Sequence, residues 1–184
     1  MKKLALPFII ALLTVSFSFT SCEKDKLTKE NSFTFNNVDH STSHGYKFML
    51  VETETTSSYY VFLCSEGIQF SLTEDVTGYG DIIVFGLISD SPTDLISGQY
   101  VFDDNLVTAF AILGYDSDLG EGIEYDLDPV GASSVKLNVS GTTYELDYSL
   151  TLETGKVLKG YYKGSLQELT PPAVKSDKLY FFER

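Results

Sequence analysis

The sequence has no tryptophan, only two histidines and two cysteines, and few basic residues. Thirteen lysines and arginines stand against 26 aspartates and glutamates, which gives a formal net charge of −13 over 184 residues. A chain this acidic has no electrostatic means of holding a phosphate backbone, so nucleic acid is not expected as a partner. Runs with helical periodicity are also missing, which points away from α-helical folds.

A leader segment opens the chain. Lys2 and Lys3 precede an apolar run over residues 4–19, which is shorter than the ~20 residues of a membrane-spanning helix. A basic start followed by a short apolar run is typical of a removable export signal. We therefore predict a signal peptide over residues 1–21.

The signal ends in the sequence Phe19-Thr20-Ser21-Cys22. This sequence resembles a lipobox, the site at which bacterial lipoprotein precursors are cleaved and acylated on cysteine. The resemblance implies acyl chains, such as palmitate, on Cys22, and several chains on one cysteine suffice for stable membrane anchoring. The alternative is an ordinary signal peptide followed by an unmodified cysteine.

The residues after the cysteine form a predicted tether over residues 22–31. Residues 23–31 are charged and nearly free of apolar side chains, which favours a flexible connection. A charged run in this place resembles the tethers of surface lipoproteins of Gram-negative anaerobes. The resemblance implies an outer-membrane lipoprotein displayed on the cell surface. Because anionic headgroups repel an acidic body, the lipid would make the membrane contact.

Residues 133–166 show the clearest strand pattern in the chain. Apolar residues alternate with polar ones over residues 135–139 and again over residues 144–152. A period of two marks a strand with one buried face and one wet face. Gly141 lies in a turn-forming pair between these two runs, and Gly155 lies in another between the second run and a third that begins at Lys156. The segment therefore predicts an antiparallel meander.

Similar strand-like runs fill the rest of the chain. They number about ten, at intervals of roughly 8–12 residues, which is typical of a sandwich or barrel. We predict a single all-β domain over residues 32–184, an antiparallel β-sandwich, with a calycin-like β-barrel as the alternative. Residues 39–45 and 74–80 are predicted as loops, residues 91–94 as a single helical turn and residues 179–182 as the last strand.

Two segments of the second half resemble small β-rich lipoproteins of the same anaerobes. Residues 98–102 carry the pattern Gly-x-Tyr-x-Phe. Residues 144–164 carry Tyr-x-Leu-x-Tyr, followed by Gly-Lys-x-Leu-x-Gly-x-Tyr-x-Gly. Most proteins of this type have no assigned activity, so the resemblance implies a fold and a location and not a reaction.

Three early strands are apolar on both of their faces. They include residues 48–51, 61–64 and 82–88. The outer face of a two-layer sandwich is ordinarily polar, so loops, a neighbouring subunit or a partner are expected to cover these strands. The alternative is that central strands simply expose some apolar residues, which is common in soluble proteins.

Reactive side chains are few and poorly placed for catalysis. Cys64 lies between apolar neighbours on a predicted strand, so we predict a buried, inert thiol without a disulfide partner. His40 and His44 are four residues apart in a predicted loop without a third ligand, so a zinc site is not expected. A Gly-x-Ser-x-Gly elbow and a phosphate-binding loop are both missing. We predict no catalytic residue and no cofactor.

The acidic run over residues 116–128 is a weak candidate for a metal site. Asp116, Asp118 and Glu121 offer the carboxylate oxygens that Ca²⁺ prefers. The spacing departs from that of an EF-hand loop, because a glycine stands at a ligand position and Leu127 replaces the bidentate glutamate. A solvated acidic loop is therefore the favoured interpretation, and no metal is predicted.

Two pairs of adjacent tyrosines, Tyr59-Tyr60 and Tyr161-Tyr162, are candidates for ligand binding. Successive side chains of a strand point to opposite faces, so one member of each pair must leave the core. An exposed tyrosine suits sugar or protein contacts, because its ring is apolar and its tip is polar. The alternative is that these tyrosines have a structural role.

These observations favour a non-catalytic binding or accessory module for a glycan, a protein or another envelope component. The alternative is a calycin-like carrier of a small apolar ligand, with a cavity lined by Phe48, Phe62 and Phe85. An enzyme is disfavoured because no constellation of reactive residues is visible. Composition and pattern predict no particular oligomeric state.

Overall fold

The computed structural model describes residues 29–70, 76–102, 104–126, 131–152 and 154–169. Within these ranges the chain forms strands and turns without a helix, so no described residue belongs to a helix long and apolar enough to cross a membrane. The strands, in chain order, are β1 (Ser32–Phe35), β2 (Val38–Ser41), β3 (His44–Glu52), β4 (Ser57–Cys64), β5 (Ile68–Phe70), β6 (Val76–Ser89), β7 (Gly98–Val101), β8 (Leu106–Asp116), β9 (Glu121–Asp126), β10 (Ser134–Ser140), β11 (Thr143–Thr151), β12 (Val157–Gly164) and β13 (Leu166–Leu169).

Six strands form the first sheet, which we call sheet A, in the order β2-β1-β12-β11-β10-β7. All of its neighbouring strands are antiparallel. Its centre is the meander β10-β11-β12 that the alternation over residues 133–166 predicts. Gly141 and Gly155 occupy the two turns with φ of +59° and +76°, a conformation that costs glycine little. The meander prediction is confirmed.

Seven strands form the second sheet, sheet B, along the path β13-β3-β4-β6-β8-β9, with β5 paired to β6 beside it. Neighbours are antiparallel except for β13, which runs parallel to β3. Both sheets are open and neither closes on itself. The all-β, mostly antiparallel sandwich is therefore confirmed, and the alternative of a closed barrel is not the architecture observed.

The main core lies between the two sheets and takes alternate residues from each of them. Val61, Leu63 and Phe85 of sheet B and Leu146 and Leu150 of sheet A have no exposed surface. Each such side chain contributes about 1.5–3 kcal/mol of burial free energy. The alternation that defines the strands thus also decides which residues hold the two sheets together.

A row of aromatic residues crosses the inner face of sheet A. Five adjacent strands contribute one residue each to this row, and three of the five are aromatic. In strand order they are Phe33, Gly160, Tyr148, Val135 and Tyr100. The Tyr148 ring fills the space above Gly160, where a side chain would collide with it. It also meets Phe85 of sheet B edge-on at 4.9 Å between ring centroids, which joins the two layers.

Three of the predicted loops and turns are wrong. The predicted loop over residues 39–45 instead contains most of β2 and the start of β3, and β6 begins at Val76 within the predicted loop over residues 74–80. Asn36 and Asn37 adopt φ of +52° and +63°, the two-residue hairpin geometry that asparagine tolerates, so β1 turns directly into β2. The predicted helical turn at residues 91–94 is a series of bends. The predicted last strand at 179–182 lies outside the described residues.

A second apolar cluster lies on the outer face of sheet B. Its buried members include Tyr46, Phe62, Ile82 and Val84. Phe70 of β5 packs over this cluster, with ring centroids 5.0 Å from those of both Tyr46 and Phe62. The apolar character of both faces of β3, β4 and β6 thus reflects a sheet that buries side chains on both sides.

Candidate functional site

The two tyrosine pairs divide between the core and the outer faces as strand alternation requires. Tyr59 and Tyr162 are 1% and 2% exposed and point between the sheets. Their hydroxyls donate to the carbonyls of Thr93 (3.0 Å) and Ser165 (2.8 Å), so both residues have a structural role. Tyr60 and Tyr161 point away from that core, and the pairs therefore do not form one site.

Tyr60 and Tyr161 lie on opposite sides of the sandwich. Tyr60 is half-buried on the outer face of sheet B, where its ring is 6.3 Å from that of Phe62. Tyr161 is half-buried on the outer face of sheet A. Apolar side chains therefore surround Tyr60, whereas polar and charged side chains surround Tyr161, and the two faces offer different chemistry.

Tyr161 belongs to a polar row that crosses the whole of sheet A. The strand register places one residue of this row on each of the six strands. We call this outer surface the Tyr161 face, and its row consists of Ser41, Ser32, Tyr161, Asp147, Lys136 and Gln99. Tyr161 is the aromatic member of the row, and its neighbours are hydrogen-bonding side chains.

Charged groups fix the position of the Tyr161 ring. Its hydroxyl donates to Glu145 Oε1 at 2.9 Å, and Lys163 Nζ lies 3.4 Å from the other oxygen of that carboxylate. The hydrogen bond from Tyr161, followed by the contact with Lys163, lowers the pKa of Glu145. Lys29 Nζ lies 4.9 Å above the ring centroid and pairs with Asp147. These contacts hold the hydroxyl of Tyr161 at Glu145 and place Lys29 over the ring.

The end of the predicted tether is fixed on the same sheet. The Asn31 side chain donates to the Lys163 carbonyl at 3.1 Å and accepts the Lys163 backbone N–H at 2.7 Å. The Asn31 side chain therefore continues the pairing of β1 with β12 beyond Ser32. Residues 22–28, including Cys22, lie outside the described residues.

A buried lysine forms a second polar cluster that sequence pattern alone does not reveal. Lys47 of β3 is 6% exposed and points between the sheets. Its ammonium lies 2.5 Å from Asp94, 3.2 Å from the Tyr144 hydroxyl and 4.0 Å from Glu168. Burial lowers the pKa of Lys47, but the hydrogen bonds with Asp94 and Tyr144 outweigh it and hold the pKa above its ordinary value.

The Lys47 cluster is better suited to holding structure than to chemistry. The ammonium also lies 5.7 Å from the centroid of the Tyr59 ring and 5.5 Å from that of Tyr144, where the ring faces attract a cation. A nucleophilic or basic lysine needs a lowered pKa, whereas the pKa of Lys47 is raised. The cluster ties β3 and β11 to the connection before β7 through Asp94.

His40 bridges the two sheets. Its Nδ1 lies 2.8 Å from Asp81 Oδ2, and the other oxygen of Asp81 accepts the Gly114 backbone N–H at 2.9 Å. The imidazole stacks on Phe33 with 4.7 Å between ring centroids. The sequence pattern predicts a loop around His40, whereas the tight hairpin that precedes it places His40 in β2. His44 lies in β3.

The acidic candidates for a metal site form a self-contained turn. Asp116 Oδ1 accepts the Asp118 backbone N–H at 2.9 Å, and the Asp116 carbonyl accepts that of Gly120 at 2.8 Å. Glu121 of β9 lies opposite Asp116 of β8 in the strand register. The turn thus uses a carboxylate oxygen of Asp116 for its own backbone. Over the described ranges, no three His, Cys, Asp or Glu residues come close enough to hold a metal ion.

Cys64 lies in the outer cluster of sheet B and has no exposed surface. Burial raises the pKa of its thiol far above the ordinary value, which disfavours the reactive thiolate. It forms no disulfide. These properties agree with the expected buried, inert thiol.

The three phenylalanines expected to line a carrier cavity are separated. Phe48 and Phe62 belong to the outer cluster of sheet B, whereas Phe85 lies in the core between the sheets. Phe62 and Phe85 are on adjacent strands but face opposite sides, since their positions along β4 and β6 differ in parity. These residues therefore cannot line one cavity.

Comparisons with protein-family models, curated proteins and solved structures found no match.

Proposed function

We propose that this chain is a non-catalytic binding module of the bacterial cell envelope that holds a glycan on the Tyr161 face. The observation that carries the proposal is the polar row across sheet A, with Tyr161 in it and hydrogen-bonding side chains on either side. Sugars present apolar ring faces as well as hydroxyl groups, and this face offers partners for both.

The shape of the surface supports an extended ligand. Six strands spaced about 4.8 Å apart give a row about 24 Å across, and side chains along it can both donate and accept hydrogen bonds. Lys136 donates, Asp147 accepts, and Gln99 and Ser41 do both. Because Lys29 covers the Tyr161 ring, a ligand would displace this exposed lysine and leave the buried structure unchanged.

Location is part of the proposal. Acylation of Cys22 would anchor the chain to the outer membrane, and the charged residues that follow favour display at the cell surface. The chain reaches sheet A at Asn31, next to β12. A module held in this way would keep an extracellular or periplasmic glycan close to the membrane for other proteins to act on.

Binding is tested with purified protein and a panel of soluble polysaccharides by isothermal titration calorimetry. Tyr161→Ala is expected to weaken binding of the preferred glycan at least about tenfold, which corresponds to about 1.4 kcal/mol. Tyr161→Phe should retain most of the affinity because the ring remains.

The matched control is Tyr79→Ala, which removes a tyrosine that is 65% exposed on sheet B and should leave the affinity unchanged. Equal losses for Tyr79→Ala and Tyr161→Ala would contradict a site on the Tyr161 face. Absence of binding to every polysaccharide in the panel would contradict the glycan itself.

The anchor is tested separately. Cys22→Ser should move the protein from the membrane fraction to the soluble fraction, because it removes the acylated thiol. Ser21→Ala, which keeps the cysteine, serves as the control and should leave the protein in the membrane. Unchanged membrane fractionation of Cys22→Ser would refute anchoring through this residue.

A further inference from the structure

The outer face of sheet B differs from the Tyr161 face in being apolar across four strands. One cross-strand row runs through Tyr46, Phe62, Val84 and Phe110. The next runs through Phe48, Tyr60, Gly86 and Thr108. We call this surface the apolar face. A sheet with such a face is ordinarily covered by another layer.

The described part of the chain supplies a cover at one end of the apolar face. Phe70 of β5 lies 5.0 Å from both Tyr46 and Phe62. Other aromatic residues of the face are half-buried, namely Phe48 of β3, Tyr60 of β4 and Phe110 of β8. A layer over the whole face would therefore extend from Phe70 across β3, β4, β6 and β8.

The last described strand leads onto this face. Leu169 of β13 lies opposite Phe48 of β3 and belongs to the same apolar cluster. Fifteen residues follow it (184 − 169). Thr170 comes first, and Pro171-Pro172, which cannot donate backbone hydrogen bonds to a sheet, follow it. Leu179-Tyr180-Phe181-Phe182 follows near the end.

We propose that the C-terminal segment, residues 170–184, covers the apolar face by packing residues 179–182 across it. The length suffices: nine residues lie between Leu169 and Leu179, and the ten Cα–Cα steps from one to the other reach up to about 33 Å when extended. The distance from β3 to β8 is three strand spacings, or about 14 Å. The side chains also match, because an apolar aromatic run meets a face of aromatic rings.

The connection to β13 favours the chain's own segment over a second copy or another protein. It gives the segment a high effective concentration at the face, of the order of millimolar for a short linker. A second copy or an unrelated partner would have to overcome this advantage.

Site-specific photo-crosslinking in the full-length chain tests the proposal. Phe181→p-benzoylphenylalanine replaces one aromatic side chain by a photoreactive one of similar shape, and the protein is irradiated in intact cells and mapped by mass spectrometry. The expected result is an adduct at monomer mass that joins position 181 to strands β3, β4 or β8. Adducts at dimer mass would assign the face to a second copy, and adducts with other proteins would assign it to a partner. Either of these results, or crosslinks to sheet A, would overturn the proposal.

Controls separate a specific contact from a general reactivity of the probe. The same probe at Asn138, which is exposed on the outer face of sheet A, should give no adduct with β3 or β4. A second variant, Phe181→Ser with Phe182→Ser, should raise the binding of a dye specific for apolar surfaces several-fold, because the apolar face becomes accessible. Unchanged dye binding in a folded double variant would also overturn the proposal.

Discussion

The Tyr148 hydroxyl is buried in the core between the sheets and has no hydrogen-bond partner among the described residues. The residue is 2% exposed, and burial raises its pKa far above the ordinary value. The ring itself is well packed, against Phe85 and over Gly160. Tyr148→Phe therefore removes an unpaired polar group and leaves the packing of the ring in place.

The expected effect on stability is a gain. An unsatisfied buried hydroxyl costs about 1–3 kcal/mol, whereas the space left by one oxygen atom costs only a few tenths of a kcal/mol. Tyr148→Phe should thus raise the free energy of unfolding by about 1 kcal/mol. Tyr162→Phe is the matched control, since it is equally buried but donates to the Ser165 carbonyl. It should lose about 0.5–1.5 kcal/mol.

Urea unfolding followed by circular dichroism distinguishes the two variants. With a dependence of about 2 kcal/mol per molar urea, the unfolding midpoints should move by about 0.5 M in opposite directions. A Tyr148→Phe variant that is destabilised as much as Tyr162→Phe would refute the reasoning. It would mean that the Tyr148 hydroxyl is satisfied in solution, for example by an internal water molecule.

Two further predictions concern buried groups of sheet B. Asp94→Asn should lower the free energy of unfolding by about 1–3 kcal/mol at pH 7, because the Lys47 ammonium stays buried with a weaker partner. Since the folded-state pKa of Lys47 is raised, the pair stabilises fully below pH about 10.4 and its contribution is lost as the pH rises through the folded-state pKa. The free energies of unfolding of the wild type and the variant should therefore converge above the folded-state pKa of Lys47. Equal free energies at pH 7 would contradict the ion pair. Cys64 should react with a thiol reagent only after unfolding, and labelling of the native protein at the rate seen in urea would contradict its burial.

Local pattern was enough to predict the strands whose two faces differ in polarity. The meander β10-β11-β12 was predicted because its alternation and its glycine turns are properties of neighbouring residues. The polar residues 39–45 by themselves predict a loop, whereas the hairpin turn at Asn36-Asn37 places most of β2 there. The same parity rule predicted that one member of each tyrosine pair would face outward, which the structure shows for Tyr60 and Tyr161.

The sequence by itself determined the all-β class, the meander, the burial of Cys64 and the opposite orientation of the two members of each tyrosine pair, because these depend on residues close together in the chain. Only the tertiary structure decided which outer face each tyrosine joins. It also brought Lys47 to Asp94, 47 residues away, and His40 to Asp81. Such contacts depend on strand order and on the packing of one sheet against the other, and a period of two carries no information about either.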